Sequence, residues 1–224
     1  LTRDSAQNML NKANVISLNY HGPLQSYFEL LGVFGKDRYD GTEYEADNFS
    51  LFSGLRPSGS TNLNLQMNAG DQIDYDNSRQ GKSFTFSPRI DQKIGRHFTV
   101  TADHRYQQMN VDSNRLYEAN VSNLKFVYQF NRRAFLRLNL QNVDYSRNLD
   151  NYLKDKRDDF DASTRKVFSQ ILFSYKINPQ TVFFLGYSDN YCNRDYTDDR
   201  GRLDDSLIQT NRTIFTKIGY AWML

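Results

Sequence analysis

Residues 62–69 read Asn-Leu-Asn-Leu-Gln-Met-Asn-Ala, an unbroken alternation of polar and apolar side chains. Successive side chains of a β-strand point to opposite faces, so this stretch predicts a strand with one polar and one apolar face. The same period recurs at 83–90 and at 133–141. We expect the polar side chains of these stretches to line the inside of a barrel: Asn62, Asn64, Gln66, Asn68, Arg89, Arg137, Asn139 and Gln141.

The alternation continues through the chain and predicts about eleven strands. Most are longer than the ~9–11 residues that a tilted strand needs to cross a bilayer, whereas strands of soluble sandwiches average about 5–6 residues. The predicted strands are 12–20, 24–37, 46–56, 60–74, 82–92, 96–109, 117–130, 133–146, 165–177, 180–192 and 210–223.

The predicted connections alternate between short and long. Short ones fall near 21–23, 57–60, 93–95, 131–132 and 178–179, and long polar ones near 38–45, 75–81, 110–116, 147–164 and 193–209. Outer-membrane barrels have tight periplasmic turns and longer extracellular loops. The sequence therefore predicts an all-β fold, a transmembrane antiparallel up-and-down β-barrel.

The composition agrees with this fold class. Mean hydropathy is low, at −0.73, yet the chain holds 15 Tyr and 16 Phe. A polar lumen combined with aromatic girdles on the lipid side has this composition, whereas disordered chains are poor in aromatic residues. The net charge of +2 gives no indication of nucleic-acid binding, and no apolar run is long enough for a transmembrane helix.

The C-terminal residues 217–224 have the spacing typical of the strand that closes an outer-membrane barrel. Its pattern consists of a polar residue, a glycine two positions later, and large apolar residues three and five positions beyond the glycine. These are Lys217, Gly219, Trp222 and Leu224. The alternation of loops then places the C-terminus in the periplasm.

Strand parity leads to a further expectation. Single-chain bacterial barrels have an even number of strands with both ends in the periplasm. The predicted strand at 12–20 starts on the extracellular side, so we expect residues 1–224 to form the C-terminal portion of a larger barrel. Strands preceding Leu1 would complete it.

Three runs carry a family resemblance. Residues 165–192 and 210–224 include RKVFSQILFSYKINPQTVFFLGYSDNY and TNRTIFTKIGYAWML, and NVDYSRNLDNY stands at 142–152. They resemble the C-terminal barrel of a proteobacterial outer-membrane family in which a periplasmic family-9-type carbohydrate-binding-like domain precedes the barrel. The resemblance implies a longer protein with that domain upstream, and it transfers no catalytic residues.

Two kinds of residue cluster could suggest a catalytic site or a metal site. His97 and Asp103 are six residues apart on one strand, about 20 Å, so they cannot meet, and His104 faces the other way. Aspartates crowd 155–161 and 195–205, but basic residues interleave and the EF-hand spacing is absent. Solvated extracellular loops, bridged to lipopolysaccharide by divalent ions, are the better interpretation. We predict no catalytic site, no metal site and no cofactor.

Inward-facing basic residues could form a lining that favours anions, or they could pair with acidic residues such as Asp103. The sequence leaves both readings open, because the pairing of neighbouring strands is not readable from it. The basic residues are Arg89, Arg105, Lys125, Arg133, Arg137 and Lys176.

The leading functional hypothesis is a porin-like or receptor-like barrel for small solutes or glycans in the outer membrane of a Gram-negative bacterium. The alternative is a structural or assembly barrel that anchors a periplasmic domain or a partner protein. An outer-membrane hydrolase is disfavoured. The expected partners are the lipid bilayer, lipopolysaccharide and the barrel-assembly machinery.

Overall fold

A computed structural model describes residues 2–3, 9–152, 161–193, 196–197, 203–204 and 206–221, with side chains in 12–152, 161–193 and 206–221. The chain is almost entirely β-structure, with one 3₁₀ helix at Leu149–Asn151. The strands are β1 (Thr2–Arg3), β2 (Met9–Gly22), β3 (Ser26–Tyr39), β4 (Thr42–Glu45), β5 (Asn48–Ser58), β6 (Thr61–Asp74), β7 (Arg79–Ile94), β8 (Phe98–Val111), β9 (Asn114–Gln129), β10 (Ala134–Arg147), β11 (Ser163–Asn178), β12 (Thr181–Asn193), β13 (Tyr196–Thr197), β14 (Leu203–Asp204) and β15 (Leu207–Tyr220).

The main sheet is an antiparallel meander in which each long strand pairs with the next one along the chain. Its order is β1-β2-β3-β5-β6-β7-β8-β9-β10-β11-β12-β15, and β4 pairs with the far end of β3. The small β13–β14 pair is separate. All eleven predicted strands are present, and the added strands β1, β4, β13 and β14 have two to four residues each. The fold class is therefore confirmed.

The sheet is open among the described residues. No pairing joins β15 to β1 or β2, so β2 and β15 are the two free edges of the long-stranded sheet. Nearly every described side chain of these two strands is exposed, including Ile16 (67%), Ile214 (73%) and Ile218 (67%).

β4 and β5 are two parts of one strand that is interrupted at Ala46 and Asp47. The Asp47 side chain accepts a hydrogen bond from the Gly35 amide (3.0 Å), and the Asp47 amide donates to the Asp71 carboxylate (3.1 Å). The Ala46 amide donates to the Gly35 carbonyl (2.9 Å). Side-chain oxygens thus satisfy backbone groups that a regular ladder would have paired.

Three of the five predicted long loops are wrong. The segments near 38–45 and 110–116 are two-residue turns at 40–41 and 112–113, and the one near 75–81 is a four-residue turn. Asp40, Gly41, Asp112 and Ser113 all have positive φ, as type I′ hairpin turns require. The polar residues assigned to these loops belong to longer strands. Long connections remain only between β10 and β11 and between β12 and β15.

The strand register defines two faces of the sheet. One face, called the polar face below, carries the row Asn64, Arg89, Asp103, Asn123 and Gln141, paired strand by strand from β6 to β10. The opposite face, called the apolar face, carries the row Leu63, Ile90, Ala102, Leu124 and Leu140. The alternation predicted at 62–69 therefore extends across the sheet.

Among the described residues, no second layer of protein covers the apolar face. Large hydrophobic side chains on it remain exposed, among them Leu18 (62%), Phe49 (50%), Ile171 (44%) and Leu185 (43%). Near the short turns this face is rich in aromatic residues, with the Phe98–Phe126, Tyr128–Phe130 and Phe130–Phe173 ring pairs. A single-layer sheet with such a face needs a surrounding apolar phase. Among the described residues, no helix is long and apolar enough to cross a membrane.

Along β10 the apolar face changes once from hydrophobic to polar residues. It carries Leu136, Leu138 and Leu140 near the short-turn end, followed by Asn142 and Asp144. An apolar stretch on part of a 14-residue strand matches a strand that crosses a hydrocarbon layer and continues into water.

Candidate functional site

The candidate site is a network of polar side chains on the polar face of β6–β11. All eight predicted inward-facing residues share this face, because the register pairs Asn62 with Asp91 and Asn64 with Arg89, and Gln141 with Asn123. The alternation within each strand then brings the remaining four, Gln66, Asn68, Arg137 and Asn139, to the same side. The structure adds polar members that the sequence prediction omitted: Asp91, Thr101, Asn123 and Gln170.

Arg89 is the centre of an ion-pair cluster. Its guanidinium binds the Asp91 carboxylate through two hydrogen bonds (3.0 and 2.9 Å), and one nitrogen lies 3.8 Å from the Asp103 carboxylate. Thr101 donates a hydrogen bond to Asp91 (2.7 Å), and Asn62 contributes another. For Arg89, the reading in which basic residues pair with acidic ones is correct.

Amide side chains extend the network across the next strands. Asn123 donates to the Asp103 carboxylate (2.8 Å), and Gln141 donates to the Asn123 oxygen (2.8 Å). Asn139 donates to the Gln170 oxygen (3.1 Å). Each amide contacts the residue directly opposite it on the neighbouring strand, and such cross-strand pairs stabilise a sheet. Hydrogen-bonding groups therefore run from Asp91 on β7 to Gln170 on β11.

A depression of 310 Å³ lies over this network. Charged, amide and hydroxyl groups surround it, and an aromatic ring stands at one side. Its lining includes Arg89, Asp103, Lys125, Asn139, Gln141 and Phe168. A larger depression of 760 Å³ is lined mainly by apolar-face residues such as Ala102, Leu124 and Leu140, although Arg89 and Asp103 also border it. The polar depression is the one with the chemistry to bind a hydrophilic solute.

A short segment after β10 packs against the end of the polar face that is remote from the short turns. Tyr152 is buried in a cluster with Met109, Val111 and Leu116. Asn151 donates a side-chain hydrogen bond to the Arg115 carbonyl (2.7 Å), and its own carbonyl accepts one from Arg79. Burial raises the pKa of the Tyr152 hydroxyl above its ordinary value of 10.0.

Two aromatic rings on the polar face lie over glycines of the neighbouring strand. A Cβ at Gly186 would overlap the Phe215 ring, and a Cβ at Gly54 would overlap the Tyr27 ring. A side chain larger than glycine at either position would have to displace the ring. At Gly219, by contrast, the nearest atom to such a Cβ is 3.9 Å away.

The residues that could have suggested catalysis do not meet. Asp103 belongs to the Arg89 network, whereas His104 lies on the apolar face and its Nδ1 is 2.8 Å from the Ser122 hydroxyl. His97 lies in the turn before β8, where its Nδ1 is 2.6 Å from the Gln129 carbonyl. The described part of the chain holds no group of three or more His, Cys, Asp or Glu arranged to bind a metal ion.

The structure describes only some members of two sets of predicted residues. Lys217 and Gly219 lie on β15 on the polar face, paired with Phe184 and Val182, whereas Trp222 and Leu224 lie outside the described residues. Most of the aspartates at 155–161 and 195–205 also lie outside them.

No family model matches this chain, and no curated protein matches it in sequence. Solved structures do match its fold. OmpT, an outer membrane protein of Vibrio cholerae, in its in-vitro folded trimer form, has a TM-score of 0.52 at 14% identity. The match covers 93% of this chain and 64% of that one. A loop-deletion mutant of the same protein gives a TM-score of 0.51 at 12% identity, covering 93% of this chain and 62% of that one.

The fold is that of outer-membrane β-barrels. The predicted location in the outer membrane agrees with these neighbours, each of which is an outer-membrane protein, and with the uncovered apolar face described above. The chain spans less than two thirds of the length of the solved structures it matches.

Proposed function

We propose that this chain forms part of a porin-like outer-membrane barrel whose polar face lines a water-filled lumen for small hydrophilic solutes. The observation that supports it is the row of polar side chains from Asp91 to Gln170, joined by hydrogen bonds and ion pairs between neighbouring strands, on the face opposite the exposed apolar side chains. A transmembrane strand with lipid on one side and water on the other has this alternation. Small glycans suit the same face, because amides and carboxylates bind sugar hydroxyls and the Phe168 ring offers a surface for stacking.

Ion conductance in planar lipid bilayers tests the proposal. The purified, refolded protein is expected to produce stable current steps that a heat-denatured sample does not. Addition of a neutral disaccharide is expected to reduce the current if the depression over β7–β11 binds sugars. Correctly inserted barrels that carry no current for any small ion would refute the pore.

An anchoring or assembly role is the second candidate. The segment at 148–152 packs over the far end of the polar face, and a lumen covered in this way would not conduct. The family resemblance supports a periplasmic sugar-binding-like domain upstream of the barrel as the anchored unit. Inserted protein that carries no current, together with co-purification of a periplasmic partner, is the result expected for this role.

We also propose that further strands complete the barrel. The open edges β2 and β15 support this, because unpaired backbone groups at a sheet edge are not tolerated in the hydrocarbon layer. Paired cysteines introduced at outward positions of β2 and β15, such as Leu18→Cys with Ile214→Cys, are expected not to crosslink in the refolded protein. A high crosslinking yield across several such pairs would show that these edges close on each other. Lipopolysaccharide and the barrel-assembly machinery are the partners expected of any such barrel.

A further inference from the structure

Charges on the polar face are divided between its two halves. On β3–β8 this face carries both signs, with Glu29, Asp91 and Asp103 beside Arg89 and Arg105. On β9–β12 and β15, the polar face of the described strands carries cations and no carboxylate. These cations are Lys125, Arg137, Arg147, Lys166, Lys176 and Lys217. We call the polar face of β9–β12 and β15 the cationic half.

The acidic residues of the same strands all point the other way. Glu118 on β9, Asp144 on β10 and Asp189 on β12 pair with apolar-face positions in the register. Asp189 is bound there by the Tyr187 hydroxyl (2.9 Å) and by Gln209 (2.5 Å), with an Arg212 nitrogen 3.4 Å away. A residue on one face of a sheet cannot neutralise a charge on the other, so these carboxylates do not compensate the cationic half.

Five of these six cations have no acidic partner among the described residues. Within the described ranges, no carboxylate oxygen lies within 4 Å of a nitrogen of Lys125, Arg137, Lys166, Lys176 or Lys217. All four lysines are exposed. The Nε atom of Arg137 is buried and has no hydrogen-bond partner. Arg89, on the other half, binds two carboxylates.

The unpaired cations are distributed along the strands rather than collected at one end. Lys176 and Lys217 lie near the short turns, Arg137 and Lys125 lie further along β10 and β9, and Lys166 lies towards the far end of β11. Lys125 is paired with Asn139, two residues from Arg137, so their α-carbons are diagonal neighbours about 7–8 Å apart. A solute moving along this wall would pass one cation after another.

We propose that the cationic half makes the lumen selective for anions and that its natural solutes are small carboxylate- or phosphate-bearing molecules. The inference rests on the proposed pore. Unpaired charges on the wall of a narrow aqueous path with low-dielectric surroundings concentrate ions of opposite sign and exclude ions of the same sign. Paired charges such as those around Arg89 cancel at short range and contribute less.

The reversal potential of the refolded protein in planar bilayers, measured across a tenfold KCl gradient, tests the inference. The sign expected is that of chloride preference. The double variant Lys125→Gln with Arg137→Gln is expected to lower the chloride-to-potassium permeability ratio by several-fold, because it removes two of the wall charges that concentrate anions. Lys36→Gln is the matched control, because Lys36 is exposed on the apolar-face side of β3 and already paired with Glu43 (2.7 Å).

The outcomes separate the two proposals. Stable conductance with cation preference, or a permeability ratio that the double variant leaves unchanged, would overturn anion selectivity while leaving the pore intact. Inserted protein without conductance would overturn the pore and the selectivity together. A chloride preference that falls in the double variant and persists in Lys36→Gln supports both.

Discussion

The two faces of β10 differ in the surroundings that they require, one apolar and the other aqueous. Leu136, Leu138 and Leu140 point to one side, and two of them are exposed although they are fully apolar. Arg137, Asn139 and Gln141 point to the other side and contact amides or lie beside cations of adjacent strands. The difference shows that the fold is not held by a buried core. It depends instead on a surrounding apolar phase on one face and on paired polar groups on the other.

The largest expected effect comes from placing a charge on the wrong face. Leu138→Arg should destabilise the folded protein in a bilayer by about 2–4 kcal/mol, because the arginine would enter the hydrocarbon layer. Asn139→Arg, one residue away on the polar face, should change stability little. Denaturant unfolding in lipid vesicles measures both variants. Equal losses for the two would contradict the assignment of faces.

A smaller loss is expected at the glycine beneath Phe215. Gly186→Ala should cost about 1–3 kcal/mol, because the added methyl group displaces the ring. Gly219→Ala on the adjacent strand is the matched control, since a Cβ there has ordinary van der Waals contacts. The same unfolding experiment compares them. If Phe215→Leu does not recover part of the loss in a Gly186→Ala background, the ring is not the cause.

The ion-pair network around Arg89 should contribute still less to the stability of the folded protein. Arg89→Gln is expected to lower stability by about 0.5–1 kcal/mol, since its side chain is half exposed and water screens the pair. Arg105→Gln, on the same face but without a carboxylate within 4 Å in the described chain, should have no measurable effect. Raising the salt concentration should shrink the difference between the two variants. A difference that grows with salt would contradict an electrostatic origin.

The smallest effect concerns the β3–β4 hairpin, outside the membrane-spanning part. The Lys36 ammonium donates a hydrogen bond to Glu43 and holds the pKa of that carboxyl below its ordinary value of 4.5. The stabilising contribution of the Lys36–Glu43 ion pair is therefore present above pH 4.5 and is lost as the pH falls through the lowered pKa of Glu43. In a carboxylate NMR titration, Lys36→Gln should return the pKa of Glu43 towards 4.5. Lys12→Gln should move it much less, because Lys12 is the smallest of its electrostatic influences.

Alternation in the sequence was sufficient to predict the strands and the polar face. Asn62, Asn64, Arg137 and Asn139 lie where the period places them. The same period at 123–126, Asn-Leu-Lys-Phe, predicts that Lys125 faces inward and would also have identified Asn123, and both residues line the depression.

Turn lengths and pairings could not be predicted in the same way. Polar residues near 38–45 and 110–116 are compatible with a loop or with a strand that has left the hydrocarbon layer, and the distinction depends on positive φ at 40–41 and 112–113. The contact between Arg89 and Asp103 depends on the register of β7 and β8, which the turn between them sets. Whether a given cation is paired follows from that register and not from composition.

The central claim is that β10 faces lipid on one side and water on the other, and spin labels along the strand test it most directly. Single cysteines at positions 136–141, in a Cys192→Ser background, would carry nitroxide labels in the bilayer-inserted protein. The account predicts that accessibility to apolar oxygen is high at 136, 138 and 140, whereas accessibility to a water-soluble nickel complex is high at 137, 139 and 141. Loss of this two-residue period, or water access on both sides of the strand, would contradict it.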